Sequence, residues 1–173
     1  TPSMTYGGYQ KGNGLQTAAF AFSIYNGGVT NYSQKYNGSS WSSSNTMNTS
    51  KNSSAPAGIQ TATLASGGND SSDADTNTVE SYNGSAWTTA PTLSTARGAG
   101  TAGFGSNTSA IVAGNGPSTI ATVEKYNGSS WTSAPSLNTA RSNAAAAGSS
   151  NSDGVVFSGS STSAIETFNG TSW

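Results

Sequence analysis

The sequence predicts an all-β fold built from about four similar repeats. Two observations lead to this prediction: a six-residue motif returns four times at nearly constant spacing, and apolar residues alternate with period two within the repeats. No segment shows a sustained period of 3.6 residues with helix caps. The 173 residues have the length of one ordinary domain, so we predict a single domain over residues 1–173.

The recurring motif begins with an aromatic residue followed by Asn-Gly, and it ends with tryptophan. The aromatic residues are Tyr36, Tyr82, Tyr126 and Phe168, and the tryptophans are Trp41, Trp87, Trp131 and Trp173. Successive tryptophans are therefore 46, 44 and 42 residues apart. A period in the forties is typical of one blade of a β-propeller. We place the repeats at about 5–51, 52–97, 98–141 and 142–173, the last completed by residues 1–4.

Each repeat is expected to form four short strands, as the third repeat illustrates. A small-residue strand over 98–104 precedes an apolar run over 109–114, an alternating segment over 121–126, and a strand that opens at Trp131. Asn-Gly before the last strand predicts a two-residue hairpin turn with positive φ at both residues. The Ala- and Gly-rich first strands suit the crowded propeller axis, and the large aromatic residues suit the wedges between blades.

The two ends of the sequence predict how the propeller closes. Residues 1–4 resemble residues 90–93, which leave a fourth strand, whereas Trp173 stands where a fourth strand should begin. We therefore predict that the termini meet in one shared blade of a closed four-bladed ring. Propellers typically have about four to eight blades, so four repeats are at the lower end of the range. Assembly from several chains and a longer parent protein therefore remain alternatives.

Formal charges are few, and six of the thirteen recur at two fixed positions of the repeat. Charged residues make up 8% of the chain, against about a quarter in ordinary domains. One position is acidic and another basic: Glu80, Glu124 and Glu166 share the first, and Lys51, Arg97 and Arg141 share the second. We expect structural carboxylate–cation pairs between blades. A glycosidase needs two carboxyl groups about 5–10 Å apart in a cleft, and residues that occur once per blade do not cluster in this way.

The composition argues against several function classes. The chain has no cysteine and no histidine, so the usual zinc and copper sites, a thiol nucleophile and a Ser-His-Asp triad are not expected. A net charge of −1 with six Lys and Arg residues provides no electrostatic basis for nucleic-acid binding. No run of 18 apolar residues predicts a membrane span. We predict a protein that is not an enzyme and has no cofactor.

Two features fall outside the repeat template. The first repeat carries additional tyrosines, namely Tyr6, Tyr9, Tyr25 and Tyr32. These suit sugar stacking or protein contact if exposed, and otherwise they pack the blade that closes the ring. The segment over 69–77 holds three aspartates, and such oxygen-rich loops can bind calcium. Because it lacks the EF-hand order and closing glutamate, we predict a solvated loop and no metal site.

The repeat resembles the kelch repeat of the galactose-oxidase central domain and many other propellers. The matching positions in the third repeat are Arg97, Gly114, Val123-Glu124-Lys125-Tyr126 and Trp131. The resemblance covers nearly the whole chain and implies a β-propeller. It departs from the family in two ways: the double glycine occurs only at 27–28 and 67–68, and the Tyr-to-Trp turn is shorter. Galactose oxidase activity is not implied, because its copper site requires histidine.

Short Tyr-Asn-Gly-x-x-Trp repeats are similar to those of phage tail-fibre and bacterial surface proteins. This resemblance implies an extracellular or virion-surface propeller that acts as a display or adhesion module, with a cell-surface glycan as its expected partner. One alternative is a structural building block of an extracellular filament or capsid, which contacts neighbouring subunits. Another is a segment of a longer secreted kelch protein.

Overall fold

The computed structural model describes residues 3–116, 118–160 and 162–173. Its regular elements are β-strands, which form four antiparallel sheets arranged as a four-bladed β-propeller. Three sheets have four strands and one has three, and within each sheet the strands pair in chain order. The predicted all-β propeller is therefore confirmed.

The strands of each blade run outward from the axis in chain order. Blade 1 contains β1 (Tyr9–Leu15), β2 (Ala18–Tyr25), β3 (Gln34–Tyr36) and β4 (Trp41–Ser43). Blade 2 contains β5 (Ala55–Ile59), β6 (Ala62–Ser66), β7 (Val79–Tyr82) and β8 (Trp87–Ala90). Blade 3 contains β9 (Ala102–Ser106), β10 (Ser109–Ala113), β11 (Val123–Tyr126) and β12 (Trp131–Ala134). Blade 4 contains β13 (Ala145–Ser150), β14 (Asp153–Phe157) and β15 (Ile165–Phe168).

Apolar clusters fill the wedges between consecutive blades. Between blades 1 and 2, the Trp87 ring stacks on Phe20 with ring centroids 5.7 Å apart and meets Phe22 edge-on at 5.5 Å. Trp131 belongs to the cluster between blades 2 and 3, and Trp173 packs against the cluster between blades 3 and 4. Trp87, Trp131 and Trp173 thus each face the preceding blade, so the aromatic motif joins blades 2, 3 and 4 to the blade before each of them.

The innermost strands follow one another around the axis. β1 packs on β5, β5 on β9, and β9 on β13. Within the described ranges, no comparable contact joins β13 back to β1. The propeller is therefore open along the side between blade 4 and blade 1, which we call the seam.

The predicted blade shared by the two termini is not formed by the described residues. Blade 4 has three strands, and residues 3–8 add none to it. The backbone N–H groups of Thr5 and Tyr6 instead donate to Gln34 Oε1 at 2.6 and 3.2 Å, which holds this segment against blade 1. Thr1 and Pro2, which the prediction also used, lie outside the described residues.

The hairpin after the third strand differs from the predicted two-residue turn. In blade 3, Tyr126 pairs directly with Trp131, so four residues form the loop. Gly128 has φ 98°, whereas Asn127 is not among the residues with positive φ. The Asn127 side chain instead accepts hydrogen bonds from the N–H groups of Ser129 and Ser130. The asparagine is therefore required for its side-chain oxygen, which closes an Asx-type turn.

Candidate functional site

The candidate site is a groove at one end of the propeller, between blades 1 and 2. Tyr9 opens β1 and Tyr25 closes β2, and the two residues are direct cross-strand partners. Both side chains are exposed, Tyr9 to 82% and Tyr25 to 40%. They line a groove of about 530 Å³ together with Val29, Asn52, Ser53, Asp70, Ser71 and Asp73. The groove thus unites two features that the sequence left apart, the additional tyrosines and the aspartate-rich loop.

The aspartate-rich loop is shaped by its own hydrogen bonds. Asp70 Oδ1 accepts from the N–H groups of Ser72 and Ala74 at 2.8 and 3.1 Å. Asn69 and Asn52 exchange two backbone hydrogen bonds of 3.0 Å, which tie this loop to the segment entering blade 2. The loop is consequently held beside the tyrosines, and Asp70 and Asp73 reach the groove from the blade 2 side.

Asp75 serves a different purpose from the aspartates that line the groove. Its two carboxylate oxygens accept from Asn69 Nδ2 at 3.0 Å and Asn115 Nδ2 at 2.8 Å. The same asparagines accept from the N–H groups of Ala99 and Gly98, at 2.7 and 2.6 Å respectively. This network links blade 2 to blade 3. Within residues 3–116, 118–160 and 162–173, no three acidic side chains are grouped as a metal site requires.

The four additional tyrosines divide into two pairs with different surroundings. Tyr6 and Tyr32 stack on each other, with ring centroids 4.4 Å apart and planes at 19°. The two rings thus pack against each other, and neither lines the groove. The structure therefore places Tyr9 and Tyr25 together on the groove, and Tyr6 and Tyr32 in a stacked pair outside it.

Three further groove residues, Val29, Asn52 and Ser53, were not predicted from the sequence. They come from irregular segments before and after the strands, where no periodicity marks them. Ser53 has φ 58°, an unusual value for a residue with a side chain. A single sequence carries no signal for this conformation, because serine is common throughout the chain.

The repeated charged residues form buried links next to the strands rather than a cleft. Arg97 Nη2 lies 3.2 Å from Glu124 Oε1, and Arg141 Nη2 lies 2.6 Å from Glu166 Oε1. Lys51 is also fully buried, and its Nζ donates to the carbonyls of Ala65 and Thr78. Each basic residue lies in the link that enters a blade, and its acidic counterpart lies on the third strand of that blade. The pairs thus anchor the link between two blades to the second of them.

Burial and hydrogen bonding change the pKa of Glu166 and of Lys51. Burial raises the pKa of Glu166, but hydrogen bonds from Arg141 and from the N–H groups of Asn138 and Thr139 outweigh it, so the pKa lies below its ordinary value. Burial lowers the pKa of Lys51 to about 8, although the charge of Glu80 opposes this shift. Both effects concern the stability of the propeller, since neither group reaches the groove.

Blade 1 replaces both members of the charged pair. Gln34 stands where the other blades have glutamate, and Gly7 stands where they have lysine or arginine. Gln34 is fully buried, accepts from the N–H groups of Thr5 and Tyr6, and donates to the Tyr6 carbonyl at 3.1 Å. The neutral amide of Gln34 therefore holds the segment that enters blade 1 in place, at a position where no cation is present.

Comparison with known proteins provides no family assignment for the chain. No protein-family model matches it, and no curated protein is significantly similar to it. In the part of the chain that the structure describes, no helix is long and apolar enough to cross a membrane.

Proposed function

We propose that the protein is a non-enzymatic, kelch-type β-propeller that binds carbohydrate and acts as an adhesion module outside the cell or on a virion surface. The observation that carries this proposal is the groove in which exposed Tyr9 and Tyr25 face Asn52, Asp70 and Asp73. Sugars present an apolar ring face and a rim of hydroxyl groups. A groove with aromatic rings on one side and carboxylate and amide groups on the other matches both.

The electrostatics of the groove favour a neutral sugar. Asp70 and Asp73 both line it, and no lysine or arginine does so among the described residues. The nearest basic residue in sequence, Lys51, is buried and donates to backbone carbonyls. An anionic sugar would therefore meet repulsion without a compensating cation. We infer a glycan of neutral hexoses or amino sugars.

Kelch character is supported by the buried charged pairs and by the double glycine at the end of β6. Gly67 and Gly68 have φ of 64° and 104°. A Cβ at Gly68 would lie 2.4 Å from the Asn52 carbonyl oxygen, so the close approach of this carbonyl requires glycine. The tail-fibre setting rests on the resemblance of the short Tyr-Asn-Gly-x-x-Trp repeats.

A glycan array with neutral and acidic members tests the proposal, followed by calorimetry on any glycan that binds. We expect binding to neutral glycans and its loss in Tyr9→Ala. The matched control is Tyr32→Ala, which removes a partly exposed tyrosine outside the groove. Thermal unfolding of both variants establishes that they remain folded. Absence of binding to every glycan, or equal loss in the two variants, would contradict the proposal.

A further inference from the structure

The side of blade 4 that faces the seam exposes positions that are buried in the other blades. Ile165 on β15 is 68% exposed, whereas Val79 and Val123 at the same repeat position are buried. Phe157 on β14 is 37% exposed, whereas Phe22 at the same position on β2 is fully buried beneath Trp87. This face therefore has the chemistry of a blade interface but lacks the following blade.

The side of blade 1 that faces the seam shows the complementary pattern. Trp41 packs on Tyr36 at 5.3 Å between ring centroids, but it remains partly exposed, whereas Trp87 and Trp131 are buried against the preceding blade. Gln16 is exposed in the turn between β1 and β2. Its counterpart Gln60 donates to the carbonyls of Ala19 and Tyr36 in the preceding blade, at 2.8 and 2.6 Å.

We propose that the seam face of blade 4 binds the seam face of blade 1 in a second copy of this chain. The two faces differ from each other, and each corresponds to one half of the interface that already joins blades 1 to 2, 2 to 3 and 3 to 4. A second copy supplies the missing half for each. Because the joined surfaces are different, the association is head-to-tail and leads to a ring or a filament.

The existing interfaces specify the contacts of the new one. Trp41 of one copy lies over Phe157 and Val155 of the other, as Trp87 lies over Phe22 and Phe20. The Gln16 amide donates to the carbonyl of Phe168, as the Asn151 amide donates to that of Tyr126.

Trp41, Phe157, Val155, Gln16 and Phe168 carry no charge, so their contacts bury no ion. Asp153 takes the place of Ser109, and its carboxylate is placed to accept the N–H of Gln16, as Ser109 Oγ accepts that of Asn151. Gln16 also gains a partner for its amide, and the apolar side chains leave water. Burial of apolar side chains and a hydrogen bond from a side-chain amide therefore stabilise this interface, as they stabilise the three existing ones.

Sedimentation velocity and light scattering on the 173-residue chain over a range of concentrations test the association. We expect species larger than the monomer that grow with concentration and disappear in Ile165→Asp. Ile59→Asp is the matched control, since Ile59 is also exposed but lies away from the seam. A monomer at every concentration, or association that survives Ile165→Asp, would overturn the proposal.

Disulfide trapping distinguishes a second copy from closure of the chain on itself. The N–H of Asn151 donates to Ser109 Oγ at 2.9 Å across the interface of blades 3 and 4, and the corresponding seam positions are Gln16 and Asp153. The chain has no cysteine of its own. A mixture of Gln16→Cys and Asp153→Cys should give a disulfide-linked heterodimer on mild oxidation, and the double variant should give a ladder of multimers. A double variant that forms only an internal disulfide, or a mixture without heterodimer, would overturn the proposal.

Discussion

Arg141 donates to Glu166 across 2.6 Å, and both side chains are almost completely removed from solvent. The arginine lies in the link between blades 3 and 4, and the glutamate lies on β15. Glu166 also accepts from the N–H groups of Asn138 and Thr139. One carboxylate therefore satisfies three donors of the link, which makes it a stabilising element whose strength depends on pH.

Replacement of this carboxylate should destabilise the propeller at neutral pH. Because the pKa of Glu166 is lowered in the folded state, its contribution is fully present above its unfolded pKa and is lost as the pH falls through its lower folded pKa. We expect Glu166→Gln to lose about 3 kcal/mol of unfolding free energy at pH 7 and a smaller amount near pH 3. Urea unfolding at both pH values measures this. Asp153→Asn, which removes an exposed carboxylate on β14, should show little loss at either pH, and an equal loss in both variants would contradict the prediction.

Lys51 should also make stability rise with pH, but in the alkaline range and because burial disfavours its charged form. Its pKa is lowered by burial to about 8 from 10.5, so the unfolded chain binds more protons than the folded chain between these values. Stability should therefore rise as the pH increases from about 8 to 10.5. Lys51→Arg should abolish this rise, because arginine stays protonated throughout the range.

The same substitution should stabilise the protein at pH 7. Arg97 donates to the carbonyls of Gly114 and Thr122 and also reaches Glu124, whereas Lys51 contacts carbonyls alone. An arginine at position 51 gains the bond to Glu80, worth about 1 kcal/mol. Thermal unfolding at pH 7 measures the gain, with Lys125→Arg as the control. A fall in stability would show that the pocket at position 51 does not accommodate a guanidinium.

Gln34 allows the opposite change, in which a carboxylate is introduced at a position that has no cation beside it. Its amide group donates to the Tyr6 carbonyl and accepts from two N–H groups, and Gly7, at the basic position of the repeat, supplies no cation. Gln34→Glu should place a buried carboxylate against a carbonyl and cost about 1–3 kcal/mol at pH 7.

The loss in Gln34→Glu should diminish at low pH, because a protonated carboxyl group can donate to Tyr6 as the amide does. The new group thus has a raised folded pKa, and its penalty appears as the pH rises through the unfolded value. Denaturant unfolding at pH 4 and pH 7 tests the sign. A variant that is as stable as the parent at pH 7 would show that the glutamates of the other blades do not require their cations.

The repeat made the fold predictable from the sequence. The arrangement of the groove could not be predicted in this way. Tyr and Trp recur at the blade interfaces, and their spacing alone indicates the architecture. Asn127 was misinterpreted because Asn-Gly serves both hairpin turns with positive φ and Asx turns closed by the side chain. Only the pairing of Tyr126 with Trp131 distinguishes them.

The groove depends on which irregular segments become neighbours. Tyr9 and Tyr25 stood out because they break the repeat, but Asn52 and Asp73 come from two segments whose proximity follows from the backbone hydrogen bonds of Asn69. The exposure of apolar residues at the seam could not be predicted from the sequence for a related reason. Ile165 occupies the same repeat position as Val79 and Val123, and sequence similarity predicts that all three are buried.

The network around Asp75 should determine whether the groove keeps its shape. Asp75→Ala removes an acceptor from the amides of two buried asparagines, Asn69 and Asn115, although Asn69 Nδ2 keeps its bond of 3.3 Å to the Asp73 carbonyl. Each unsatisfied donor costs about 1–3 kcal/mol, so the unfolding temperature should fall clearly. Asp73→Asn is the matched control, because asparagine tolerates the φ of 61° at this exposed position. Hydrogen exchange should show faster exchange of the Ala99 and Gly98 amides in Asp75→Ala alone. Unchanged exchange would mean that the loop is held by its backbone hydrogen bonds and does not depend on the carboxylate.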